Sequence, residues 1–389
     1  MVRARVLAAV AVVGLALGAG STAQAVPELQ AATSDVTLHV EPDDAYAPLI
    51  DFIRSADETL DYNIYQFNDG VIARELKAAK RRGVDVRVIF TWQTFAASSN
   101  LWNFSSSLFN KNMPTFLALQ KSGIKVQLSP FQYTYSHEKT MIADGHTDKG
   151  RALIMDFNAQ PSYFLPTEYG GVVQVGARGF AVTTSNPADV SEIQEVFDAD
   201  WERRAPKPYT SPRLVWSPSG VGYDPQGQGK ERIFALIDGA EKTLNVYALL
   251  VDYLPFQNRL IAAAKRGVDV RLISTTNPAS MTFGQLTQLV DAGVDVRFDP
   301  TYPGGLLFIH SKAIVRDAGT DNAMAFVGSQ NPGDNVSLNS ERELGILLGK
   351  PSMITEMVGI YDRDWEHSAP LSYKDGQLQD PFPPPRKYS

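Results

Sequence analysis

One half of this chain repeats the other, and that restricts the fold more than any other feature. "TLDYNIYQF" at Thr59 resembles "TLNVYALLV" at Thr243, and "KAAKRRGVDVRVI" at Lys77 matches "AAAKRGVDVRLI" at Ala262. Both pairs align Gly83 with Gly267, a shift of about 184 residues by position. Further on, "KSGIKVQLSP" matches "DAGVDVRFDP" and "DADWERRAP" matches "DRDWEHSAP", with progressively smaller shifts. The first copy therefore carries extra residues, and much of the excess falls between Thr94 and Pro114.

Each copy has the same local grammar. A β-branched and aromatic run, Asp61 to Phe67, is followed by helically spaced apolar residues from Val71 to Arg82, with Gly83 placed to end that helix. Val84 to Phe90 then alternates as a strand does. Strand, helix, strand is a βαβ unit, which implies a parallel sheet with helices packed on it. The expected fold class is α/β: two repeated halves, each a sheet flanked by helices, in a pseudo-twofold bilobed molecule. The expected divisions are a leader over 1–25, a first half over 26–206, a linker over 207–229, a second half over 230–372 and a Pro-rich tail over 373–389.

The leader has Arg3 and Arg5 before an apolar run and ends in Ala23-Gln24-Ala25, the pattern of a cleaved secretory signal. Secretion, with cleavage after Ala25, is the expectation. The chain has no cysteine, so stability must come from a large core rather than cross-links. Its net charge of −7 becomes −9 when Arg3 and Arg5 leave with the leader. Such acidity disfavours nonspecific nucleic-acid binding, which depends on neutralising phosphates.

The duplicated segment richest in chemistry is "YSHEKTMIADG", repeated as "FIHSKAIVRDAG". His137, Lys139 and Asp144 share their spacing with His310, Lys312 and Asp317, and two of the chain's five histidines head this pattern. The same shift aligns Asn158 with Asn331. Alternation along a strand places each histidine and lysine on one face. An ammonium beside an imidazole suits a phosphate. Two such pairs facing each other would clamp one phosphodiester, one imidazole attacking while the other protonates the leaving oxygen. The asparagines can add neutral donors. A metal site fits poorly, because the lysines would repel a cation, and no zinc-type ligand spacing occurs in the sequence.

With two H-x-K-x4-D motifs, the chain resembles the phospholipase D superfamily over nearly all of its length beyond the leader. The resemblance implies one active site between the halves, a phosphohistidine intermediate, and no required metal or other cofactor. It implies that His137 is the nucleophile and His310 the general acid and then base. Lys139, Lys312, Asn158, Asn331 and the hydroxyl of Ser329 would hold the phosphate. Asp144 and Asp317 would be structural, pairing with charges outside the pocket. The family places an acid about thirty residues after each histidine, here Glu168 and Glu343. Glu168 would orient the far nitrogen of His137, and Glu341 is a rival to Glu343 for the second position. Asp156 stands where the second copy has Ser329, which brings a negative charge near the pocket.

Within this superfamily the expected activity is that of a secreted phospholipase D, hydrolysing glycerophospholipids or exchanging their headgroups at a membrane or micelle surface. Trp92, Phe95, Trp102, Phe104 and Phe109, in or beside the insertion, are candidates for contact with lipid. A superfamily nuclease, a cardiolipin-synthase-like phosphatidyltransferase and an inactive binding protein are the alternatives. Because one chain supplies both motifs, a monomer suffices, and no protein partner is inferred.

Overall fold

The computed structural model describes residues 35–92, 94, 112–169, 171–219, 227–275, 283–374 and 377–379. The leader, most of the 94–114 insertion and the end of the tail lie outside these residues. Among the described residues no helix is long and apolar enough to cross a membrane.

The first half contributes strands β1 (Val36–Glu41), β2 (Thr59–Ile64), β3 (Asp85–Phe90), β4 (Lys125–Leu128), β5 (Lys139–Ala143), β6 (Arg151–Met155), β7 (Thr167–Tyr169) and β8 (Val172–Thr184). The second contributes β9 (Leu214–Ser217), β10 (Thr243–Ala248), β11 (Asp269–Ser274), β12 (Asp295–Phe298), β13 (Thr301–Tyr302), β14 (Gly305–Ile309), β15 (Lys312–Arg316), β16 (Met324–Gly328) and β17 (Glu343–Leu348). The first half's principal helices are α1 (Ala47–Arg54), α2 (Gly70–Arg82), α3 (Met113–Lys121), α4 (Pro161–Phe164) and α5 (Pro187–Glu202). Those of the second are α6 (Gly229–Asp238), α7 (Leu254–Lys265), α8 (Phe283–Asp291), α9 (Asn335–Ser340) and α10 (Pro351–His367).

The βαβ expectation holds for three strands in each half. β2, β3 and β4 pair in parallel, as do β10, β11 and β12. The sheets as wholes are mixed, because the motif strands run the other way. β5 pairs antiparallel with β2 and β6, and β15 with β10 and β16. The connections between these later strands are short hairpins, which cannot return a chain in parallel. Helix α2 starts where the Asp69 side chain accepts from the N–H groups of Val71 and Ile72, and it ends at Gly83, whose φ of 102° is left-handed.

Outer helices cover each sheet separately: α1 and α2 pack on the first, α6 and α7 on the second. A third core joins the halves. It includes Ile193 and Phe197 of α5, Tyr361 and Trp365 of α10, and residues of both sheets such as Phe180 and Tyr247. Strand pairing also crosses between the halves of the sequence. β14 belongs to the second half by sequence, yet it pairs in parallel with β8 of the first.

Candidate active site

Each motif histidine lies where the chain crosses from one half to the other. His310 follows β14, and its backbone N–H donates to the Arg178 carbonyl at 3.3 Å. His137 precedes β5, and its N–H donates to the Arg342 carbonyl at 2.9 Å. Arg178 and Arg342 are themselves pseudo-twofold mates. Arg342 pairs bidentately with Asp200 of the first half at 2.9 and 3.0 Å, and Arg178 with Asp364 of the second at 2.7 and 3.0 Å. All four side chains are buried. These reciprocal pairs fix the two halves against each other and so fix the two motifs. Asp200 and Asp364 stand in the repeated "DADWE" and "DRDWE" segments, so their signal was present in the sequence.

His137, Lys139, His310 and Lys312 are all buried. They share one electrostatic site: the charges of Lys139 and His137 both act on His310, and Lys312 acts on His137. Burial pushes the His137 imidazole down to about 4, against the pull of Glu343. Burial likewise takes the Lys139 ammonium down to about 8. His310 is held well below the usual histidine range by burial and then by Lys312. Lys312 falls well below the usual lysine range through burial and the charge of Lys139. Concentrated positive charge in a buried pocket is poised for an anion.

The orienting acids differ from the sequence expectation. The His137 Nδ1 partner is Glu343 at 2.9 Å, reached across the boundary between the halves. Glu168 does not orient it: that residue lies exposed on β7. Sequence separation from each histidine pointed to pairing within one copy, whereas the crossing of the chain pairs a histidine with the acid of the other copy. Glu341 stands farther from His137 Nδ1, at 3.8 Å. Its carboxyl is held well above the usual range by burial and by adjacent Glu343, to which it is hydrogen-bonded. His137, Glu341 and Glu343 bring potential ligand atoms within 4.8 Å of one another. A cation there would have to displace the proton held by Glu341 and face the Lys139 ammonium.

Other assignments are also corrected. Asp144 and Asp317 do not pair with charged side chains to do their work. The Asp144 carboxylate accepts from the N–H groups of Asp57, Glu58 and Thr59, and Asp317 accepts from those of Glu241, Lys242 and Thr243. Each ties the end of its motif strand to the start of the neighbouring strand. The Ser329 hydroxyl meets the backbone N–H and carbonyl of Leu344 and also hydrogen-bonds the Glu343 carboxylate. Asn158 and Asn331 are buried, and each leaves its side-chain oxygen unpartnered. Trp92 donates its indole N–H to the Tyr133 carbonyl at 2.8 Å and packs edge-on to Phe131. Phe95, Trp102, Phe104 and Phe109 lie outside the described residues.

Sequence reasoning missed the two tyrosines beside the histidines. Tyr65 packs edge-on to His137 at a 4.6 Å centroid distance and also faces Lys139, and Tyr163 packs edge-on to His310 at 4.9 Å. Tyr65 lies in the first repeated segment, where the second copy has Leu249, and Tyr163 lies in no repeated motif, so only the fold could place them beside the histidines.

The chain matches the family described as "Cardiolipin synthase, PLD-like domain" over residues 49–201 and 233–365, one match to each half. It is 30% identical over 131 residues to phospholipase D Z of Dictyostelium discoideum, a region covering 33% of this chain and 27% of that protein. Among solved structures, phosphatidylserine synthase of Haemophilus influenzae superposes with a TM-score of 0.62 at 12% identity, covering 90% of this chain and 92% of that one. Polyphosphate kinase of Porphyromonas gingivalis gives a TM-score of 0.59 at 15% identity, covering 87% of this chain and 51% of the kinase. These two likenesses establish the shared fold.

Proposed function

Because the chain belongs to the phospholipase D-like family, we propose that it is a phosphodiesterase that cleaves glycerophospholipids through a phosphohistidine intermediate. One observation carries this reading: two histidine–lysine pairs, one from each half, are buried in a single positively charged site. In such a site the lysines neutralise a bound phosphodiester while one imidazole attacks phosphorus and the other protonates the leaving oxygen. Water, or another alcohol, then releases the phosphoryl group.

A lipid substrate is favoured by exposed apolar residues in the segment that follows Tyr163. Leu165 is 46% exposed and Val172 54% exposed, and both follow closely on Tyr163, whose ring packs on His310. Exposed apolar side chains near a polar site suit an amphipathic substrate. The acidic net charge weighs against a nuclease. We further propose export of the mature chain and action at a membrane or micelle surface, supported by the leader pattern.

The test is hydrolysis and headgroup exchange on phosphatidylcholine and phosphatidylethanolamine vesicles, beside single-stranded DNA, all with EDTA. Release of headgroup with DNA left intact is the expected result. Cleavage of DNA alone would establish the nuclease reading. Exchange of headgroup without hydrolysis would establish a phosphatidyltransferase.

A further inference from the structure

The two halves of the site are not equivalent, and the difference centres on Asp156 and Gly179. β16 pairs with β17 so that Gly328 faces Gly345, while β6 pairs with β8 so that Met155 faces Ala181. Met155 and Gly328 are repeat mates, preceding the Asp156 and Ser329 that already align. Ala181 is therefore the mate of Gly345, and Gly179 is the mate of Glu343. The second half carries a serine and an acid at these two places, and the first carries an acid and a glycine. A Cβ at Gly179 would stand 2.8 Å from Asp156 Oδ1 and 2.7 Å from the Phe157 ring. The acid has changed strands, and glycine makes room for it.

Its contacts have changed as well. Glu343 holds an imidazole, whereas Asp156 holds the second motif at three successive residues. Its carboxylate accepts from the Ser311 hydroxyl at 2.9 Å and from the Lys312 N–H at 3.2 Å. Its carbonyl lies 3.3 Å from Lys312 Nζ, and its backbone also hydrogen-bonds the His310 ring. The Phe180 N–H fixes the other carboxylate oxygen at 2.9 Å. Lys312 Nζ stands 2.9 Å from Nδ1 and 3.1 Å from Nε2 of His310. An ammonium only donates and a carbonyl only accepts, so with Lys312 charged a neutral ring takes a hydrogen bond from Lys312 on one nitrogen and gives its N–H to the Asp156 carbonyl from the other. Among the described residues no carboxylate comes within ion-pair distance of that ring. The charged groups acting on it are Lys312, Lys139 and His137.

Resting on the phosphodiesterase reading above, we propose that Asp156 is a positioning residue that locks Lys312 onto His310 as a proton-sharing pair, so that the second motif supplies the proton and His137 attacks. Glu343 holds Nδ1 of His137, which leaves Nε2 for phosphorus. As the Nε2 lone pair forms the P–N bond, the P–O bond to the leaving alcohol breaks. The leaving oxygen takes the N–H proton that His310 otherwise gives to the Asp156 carbonyl, and the Lys312 ammonium protonates the ring's other nitrogen, leaving a neutral imidazole and a neutral amine. In the second step water attacks phosphorus and gives its proton to His310, which returns one to Lys312. The P–N bond breaks, and His137 regains its electron pair.

The experiment compares phosphatidylcholine, whose alkoxide leaving group needs a proton, with phosphatidyl-p-nitrophenol, whose leaving group does not. Asp156→Asn should lower kcat on phosphatidylcholine by about a hundredfold, the scale of one general-acid contribution, and by less than about fivefold on phosphatidyl-p-nitrophenol. In wild-type protein quenched with an alkaline denaturant, which preserves the P–N bond, peptide mapping should find the phosphoryl group on His137. Should Asp156→Asn fail to fold by circular dichroism, Lys312→Arg replaces it. Arginine keeps the charge but does not release a proton, and the same split between substrates is expected. Equal losses on both substrates, or an adduct on His310, would overturn the assignment of roles and leave the phosphodiesterase reading intact. No turnover of either lipid and no adduct on either histidine would overturn both.

Discussion

At the scale of single residues, the site buries two lysines whose charges are only partly offset by the carboxylates of Glu343 and Asp156. Lys139 and Lys312 are both fully buried, and the charge of Lys139 lowers the hold of Lys312 on its proton. The catalytic form of the free enzyme needs neutral His137 and charged lysines. His137 loses its proton above about 4, and Lys139 loses its charge above about 8. A profile of kcat/KM against pH should therefore rise near pH 4 and fall near or below pH 8. A plateau continuing past pH 10 would show that the lysine charge is not used. On the proposed mechanism both histidines act on one phosphorus, so His137→Ala and His310→Ala should each reduce phosphatidylcholine hydrolysis by at least about a thousandfold. The double variant should be scarcely worse, since residues acting as a unit are not additive. Half-activity in each single variant would indicate two separate sites.

At the scale of elements, β1 and the β7–β8 turn each carry a testable consequence. Glu41 ends β1, fully buried, with both carboxylate oxygens unpartnered. Burial, then Asp44 and Asp43, pushes its carboxyl up to about 9. The folded chain thus binds this proton more tightly than the unfolded chain, whose value is near 4.5. That contribution is whole below pH 4.5 and is lost as pH rises toward 9. Glu41→Gln should accordingly leave stability at pH 4 nearly unchanged and raise it by roughly 3 kcal/mol at pH 7 in urea unfolding. In the β7–β8 region, Leu165→Asp with Val172→Asp should cut activity on vesicles by about tenfold, through loss of apolar contact with lipid, and spare a soluble short-chain phosphodiester. Equal loss on both substrates would assign these residues to the fold instead.

At the scale of the whole molecule, the halves are held in register by two buried ion pairs related by the pseudo-twofold. Removing one partner strands a charge where water cannot reach it. Asp200→Asn leaves Arg342 in that position, and chemical unfolding should show a loss of about 3–5 kcal/mol. Activity should fall further than stability accounts for, because the Arg342 carbonyl receives the His137 N–H. A variant destabilised by less than about 1 kcal/mol would mean that the pair adds little to the join.

The sequence by itself determined the repeat, the α/β class and the two histidine–lysine motifs, because these are local. Periodicity, a glycine stop at Gly83 and an H-x-K spacing are written within a few consecutive residues. It determined the place of Asp156 as an exception in one copy, though not the purpose of that exception. Tertiary structure decided which acid serves which histidine. Reading along the chain pairs Glu168 with His137, but the crossing at β14 and at residues 134–138 exchanges partners, and Glu343 takes that place. It also decided that Asp144 and Asp317 bind backbone N–H groups, that Ser329 serves the sheet, and that Tyr65 and Tyr163 flank the imidazoles. The physical reason is the same in each case. Motif chemistry is set by side chains near in sequence, while orientation and protonation are set by groups near in space. In a molecule built from two interlocked copies, some of those neighbours come from the other half: Glu343 for His137, Tyr163 for His310 and Asp156 for Lys312.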